Sequence, residues 1–100
     1  MIFRREENEM YSSHQSAIEE IAARYESMGY EVEADAPTYE KPRLILGYQP
    51  DLILRKGREE IIVEVKYADS PSFSDYEREG AFRRVARRNP RMKFKIILYR

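Results

Sequence analysis

Two short apolar runs, Leu52-Ile53-Leu54 and Ile61-Ile62-Val63, flank Gly57-Arg58. No other feature constrains the fold of this chain so tightly. Two strands separated by a two-residue link with Gly in the first central position favour a primed-turn hairpin. Runs that are apolar on both faces mark central, covered strands. With Gly57 and Arg58 at the tip, the register sets Asp51 directly opposite Glu64 and Gln49 opposite Lys66. Directly opposite residues have Cβ atoms roughly 4.5–5.5 Å apart. Side chains alternate between faces along a strand, so Lys66 shares a face with Glu64. Two carboxylates held that close in an apolar sheet repel each other. A divalent cation between them is one remedy, and the amine of Lys66 nearby is another.

The rest of the chain supplies elements to cover this hairpin. Met10, His14, Ile18, Ile21, Tyr25 and Met28 recur at helical spacing, which predicts an amphipathic helix over Arg4 to Met28. Ser12 with Gln15 forms a capping-box pattern that would start it late, near Ser13, and Gly29 supplies the stop. Tyr30 to Ala34 alternates like a strand with one wet face. Ala36 to Arg43 holds Pro37 and Pro42 and reads as a loop. Leu44-Ile45-Leu46 begins a further apolar stretch, interrupted by Gly47. Ser74 with Glu77 opens a second helix that Pro90 ends near Asn89, with Gly80 as a weak point. Lys93 to Tyr99 reads as the last strand. The order is α-β-β-β-α-β within a single domain, residues 1–100. The first three strands suit an antiparallel meander. The last follows a helix and so suits a parallel, right-handed crossover. The expected class is α/β (α+β), a mixed four-stranded sheet flanked by helices on both faces.

Pro50, Asp51, Glu64, Val65 and Lys66 spell a P-D … E-x-K pattern across one hairpin. In this the chain resembles the PD-(D/E)XK nuclease superfamily, whose restriction-endonuclease-like core has the same element order. The resemblance implies a metal-dependent endonuclease. It implies that Asp51 and Glu64 ligate Mg²⁺ (or Mn²⁺), joined by the backbone carbonyl of Val65. Lys66 would orient or deprotonate the attacking water and stabilise developing negative charge. Many members of the superfamily add an acidic residue from the first helix. Here Glu19 and Glu20 point away from the Ile18–Tyr25 face, which leaves Glu7, if the helix reaches it, and His14, one turn before Ile18. For His14 a hydrogen-bonded core role and a ligand role stand level. A bare core of this length is similar to the archaeal Holliday-junction resolvases, which act as homodimers. That implies a homodimer or a partner subunit here.

Charge points to the same class of partner. The net charge is 0, yet residues 1–50 hold 5 basic and 10 acidic side chains, and residues 51–100 hold 13 basic and 8 acidic. From Arg78 to Arg100 there are 9 basic residues and 1 acidic one. A clustered basic surface is the footprint of a polyanion. Arg83, Arg84, Arg87, Arg88 and Arg91 are the candidate nucleic-acid contacts, because guanidinium forks grip phosphate bidentately. Nothing resembles a base-reading motif, so the expected substrate is DNA recognised by structure rather than sequence. The absence of cysteine excludes disulfides and thiolate metal sites. No apolar run is long enough for a bilayer, and Met1 to Met10 has no signal-peptide core, so a cytoplasmic protein without membrane attachment is expected.

Blander accounts compete with each assignment. Glu64 and Lys66 form an ordinary same-face ion pair in one. The arginines make a solvated face, and Gln49, opposite Lys66, is a polar strand residue as readily as a site residue. The tyrosines at 39, 48, 67 and 76 stack on bases or merely line the sheet. At the level of the molecule the alternative is a non-catalytic nucleic-acid- or partner-binding module that retains the nuclease fold. A plain α/β interaction protein with an accidental motif is the third possibility.

Overall fold

The computed structural model describes residues 13–68 and 76–100. The elements follow the predicted order: α1 (His14–Ser27), β1 (Glu31–Ala34), β2 (Leu52–Lys56), β3 (Glu59–Tyr67), α2 (Tyr76–Arg88) and β4 (Met92–Tyr99). They form one mixed sheet in the order β1-β2-β3-β4. β1–β2 and β2–β3 are antiparallel, and β4 runs parallel to β3 from Glu60↔Met92 to Tyr67↔Tyr99. Among the described residues no helix is long and apolar enough to cross a membrane.

The hairpin register is the one that the turn dictates. β2 and β3 pair from Lys56↔Glu59 to Leu52↔Val63. Gly57 takes φ 62° while Arg58 stays at negative φ, the combination of a primed turn with glycine first. Both strands are central, which is why Leu52, Ile53, Leu54, Ile62 and Val63 are fully buried.

Alternation along these strands divides the core into two layers. Leu52, Leu54, Val63 and Val65 face α1, where Ala17, Ile18, Ile21, Ala22 and Tyr25 meet them. Ile53 and Ile62 face α2 and pack with Phe82, Met92 and Ile45. The α2 face of β3 therefore begins apolar at Ile62 and turns charged at Glu64 and Lys66.

α1 begins at a different cap from the one the sequence suggests. Ser13, in extended conformation, accepts a hydrogen bond from the Ser16 N–H at 3.1 Å. The cap is thus one residue later than the Ser12–Gln15 pattern, and the Arg4 to Ser12 part of the expected helix lies outside the described residues. The helix ends in a Schellman arrangement: Gly29 at φ 92° donates to the Glu26 carbonyl, and Tyr30 donates to that of Tyr25. Ser74, the expected cap of α2, also lies outside the described residues. α2 runs through Gly80 without interruption.

Leu44-Ile45-Leu46 is not the start of a strand. Ile45 and Tyr48 form a single bridge closed by Leu46 at φ 52° and Gly47 at φ 86°. Ile45 is buried, whereas Leu44 and Leu46 face solvent.

Candidate active site

The β2–β3 ladder stops at Leu52↔Val63, and side chains carry the pairing one step further. The Asp51 N–H donates to Glu64 Oε2 at 3.0 Å, and the Val65 N–H donates to Asp51 Oδ2 at 2.8 Å. Each carboxylate therefore accepts from the opposite strand's backbone. This cross-bracing leaves Asp51 only 5% exposed and Glu64 only 3% exposed. Two buried carboxylates in contact need compensation, because isolated buried charge is costly. Burial, followed by the charge of Asp51, pushes the Glu64 carboxyl up to about 7, against the opposing pull of Arg78.

The compensating cation is Arg78, a residue that sequence reasoning passed over as one more member of the basic tail. It lies in the first turn of α2. Its Nε donates to Glu64 Oε1 at 2.8 Å and its Nη2 to Glu64 Oε2 at 3.2 Å. Nη2 also donates to the Gln49 carbonyl and lies 3.8 Å from Asp51 Oδ1. One signal for this was present: Arg78 precedes Phe82 by four residues and so shares its inward face.

Lys66 does lie on the Glu64 face, but its Nζ is ion-paired with Glu79 Oε2, the neighbour of Arg78 on α2. The amine that was expected to relieve the two carboxylates is thus held by a third. Gln49 contributes its backbone carbonyl, and its side chain is not among the groups lining the cleft.

From the other face, His14 at the start of α1 brings Nε2 to 2.8 Å from the Val65 carbonyl and 3.3 Å from Asp51 Oδ2. Both neighbours are acceptors, so Nε2 carries the hydrogen here. The hydrogen bond to Asp51 chiefly raises the imidazole pKa above its ordinary value, although partial burial opposes it. Of the two first-helix candidates, His14 therefore reaches the acidic pair, while Glu7 lies outside the described residues.

His14, Asp51, Glu64, Val65, Lys66 and Arg78 line one cleft of about 120 Å³. Two carboxylates and a peptide carbonyl are oxygen donors of the kind a hard divalent cation takes, so the residue chemistry fits Mg²⁺ or Mn²⁺, while the Nε2–H of His14 is directed at Asp51 and the Val65 carbonyl. Their present orientation serves Arg78 instead. Among the described residues no three His, Asp or Glu side chains are already disposed around a common metal position.

The arginines divide by position. Arg83, Arg84, Arg87, Arg88 and Arg91 are all exposed on or just beyond α2. Arg83 lies over the Phe94 ring at 5.1 Å, and the Arg91 N–H is taken by Asn89 Oδ1. The tyrosines have structural neighbours too: Tyr39 donates to Glu26, Tyr48 packs edge-on to Phe82, and Tyr67 lies 5.5 Å from Tyr99. Tyr76 is 80% exposed.

The model of the family described as AHJR-like, REase_AHJR-like, matches residues 6–100. The chain belongs to this AHJR-like family. The family is restriction-endonuclease-like, of the PD-(D/E)XK kind, in keeping with the α-β-β-β-α-β order and with the positions of Asp51, Glu64 and Lys66 on the hairpin. Comparison with curated proteins and with solved structures found no match. AHJR-like membership suggests nuclease activity and a nucleic-acid substrate, and it covers α1, the whole sheet and α2 alike.

Proposed function

We propose that this AHJR-like protein is a metal-dependent endonuclease that hydrolyses phosphodiester bonds in DNA. The observation that carries the proposal is the pair of buried carboxylates, Asp51 and Glu64, cross-braced on one hairpin and opening on a cleft shared with Lys66. Bracing two backbone N–H groups needs hydrogen-bond acceptors but not two buried like charges, which are costly to bring together. Asp51, Glu64 and the Val65 carbonyl would hold Mg²⁺ or Mn²⁺. Such an ion, when bound, acidifies a water and neutralises charge on the phosphoryl oxygens.

The chain's own groups do the remaining work. Lys66 Nζ orients the attacking water and neutralises negative charge that builds on the phosphate. A bond forms between the water oxygen and phosphorus as the water's proton passes to solvent, the phosphorus–oxygen ester bond breaks, and the departing oxygen takes up a proton from solvent. His14 holds Asp51 in place through Nε2–H. The exposed arginines of α2 grip backbone phosphates, which favours DNA structure over base sequence. Two copies would set two clefts on a branched or duplex substrate, and a partner subunit is the alternative to a second copy.

Cleavage of linear, nicked and branched DNA with Mg²⁺ or Mn²⁺ tests this. Asp51→Asn and Lys66→Ala should each reduce the rate by at least about 100-fold, the scale of losing one preorganised electrostatic group. Their circular dichroism spectra should remain native.

A second reading, a nucleic-acid-binding module without catalysis, is favoured by one feature. Arg78 occupies the carboxylates and Glu79 holds Lys66, so the site is internally neutralised. Gel-shift binding without cleavage under either metal would select it.

A further inference from the structure

We infer that Arg78 is a resident stand-in for the divalent cation, displaced when metal binds and then free to engage a substrate phosphate. The inference rests on the metal site proposed above. The guanidinium uses both Glu64 oxygens, at 2.8 and 3.2 Å, and lies 3.8 Å from Asp51 Oδ1. A metal ion held by Asp51 and Glu64 would draw on the same Glu64 oxygens that Arg78 uses, so the two cations would compete.

Three features make Arg78 displaceable rather than a fixed part of the core. It sits in the first turn of α2, where the helix dipole disfavours a cation, so the carboxylates supply what holds it. Its side chain keeps 30% of its surface exposed, against 8% and 4% for the two acids. Its guanidinium already lies 5.9 Å from the Phe82 ring, a contact that does not use the carboxylates and so is not lost when a metal takes them. The same planar fork that matches a carboxylate also matches a phosphate. Metal binding would thus convert an internal counter-charge into a substrate contact. Linkage then requires metal and phosphodiester to strengthen each other's binding.

Mn²⁺ titrations of the full chain by calorimetry, without nucleic acid, test the competition. Arg78→Gln should bind Mn²⁺ about 10-fold more tightly than the native chain, within the usual range of coupling between sites. Arg78→Lys keeps the charge but not the fork and should fall between them. Fluorescence anisotropy of a DNA duplex, measured on Lys66→Ala chains so that it stays intact, tests the hand-over. Mn²⁺ should raise affinity when Arg78 is present and lose that effect in the Lys66→Ala, Arg78→Gln double variant. Native chain that binds Mn²⁺ beside Arg78→Gln that binds it equally or less well overturns the inference and leaves the metal site standing. Binding of Mn²⁺ by neither overturns the metal site and the inference together. If Arg78→Gln folds only with Mn²⁺, the rescue supports the stand-in role. If it folds under neither condition, Arg78→Lys decides, and affinity no greater than native overturns the inference.

Discussion

Glu64 shows most directly how a single residue sets the behaviour of this site. Its carboxyl is pushed up to about 7 by burial and by Asp51. The unfolded chain releases that proton near 4.5, so between the two values the folded state holds more protons than the unfolded one. Stability contributed by the protonated form is complete below about 4.5 and is lost as pH rises through about 7. His14, also raised, adds a smaller loss in the same direction above its ordinary range. Glu60 is lowered by Arg43 and acts oppositely, but its window lies below 4.5. Metal-free protein should therefore melt lower at pH 8 than at pH 6. The expected difference is at least about 4 °C, the response of a small domain to one kcal/mol. Glu64→Gln should flatten the profile, and Mg²⁺ or Mn²⁺ should stabilise more at pH 8, where no proton competes. A melting temperature that climbs from pH 6 to pH 8 in chelator would contradict the assignment. Leu46 makes a separate case. It holds φ 52° at a turn beside Gly47, with 58% of its surface exposed. Leu46→Gly should stabilise by about 1 kcal/mol, the usual cost of a left-handed non-glycine residue, measured by urea unfolding.

At the scale of elements, α2 is the part whose role was least visible beforehand. The hairpin's register follows from its turn: once Gly57 takes positive φ, Asp51 must meet Glu64 whatever covers the sheet. A helix has no such local rule. Its rotation on the sheet is fixed by what it buries, here Phe82 and Ala81, and only that docking brings Arg78 and Glu79 to the cleft. Local pattern therefore reached the acidic pair, Lys66 and His14 but not their partners on α2, Arg78 and Glu79. The apolar run Leu44–Leu46 shows the same limit: its interruption at Gly47 is legible, while the left-handed conformation of Leu46 that helps close the turn is invisible to hydropathy. Gly80 was expected to weaken α2, and the structure supplies a direct test of how much. A Cβ at this position would meet nothing nearer than Arg84 Nη1 at 3.8 Å. Gly80→Ala should thus stabilise by about 0.5–1 kcal/mol with no change in fold, read from denaturant midpoints.

For the whole molecule, a net charge of 0 conceals its electrostatic character. The acids of the site are buried or paired, whereas Arg84, Arg87 and Arg88 project from α2 into solvent. If they grip nucleic-acid phosphates, affinity should fall steeply with salt. Removing one of them should weaken every sequence alike and reduce the slope of log K against log salt by about 1. Fluorescence anisotropy over a salt series checks this, and a slope unchanged in the Arg84→Ala, Arg87→Ala, Arg88→Ala variant would detach α2's outer face from binding. The parallel partnership of β3 with β4 has a bearing on synthesis. Strand β4 lends no group to the cleft, yet Met92 and Phe94 help bracket Phe82, with the two phenyl rings 5.8 Å apart. A ribosome-bound chain that has emerged only as far as Pro90 can zip its hairpin but lacks those two side chains to seat the second helix. The apolar seat of the helix that carries Arg78 is therefore complete only when residues as far apart along the chain as Ile45 and Phe94 have met.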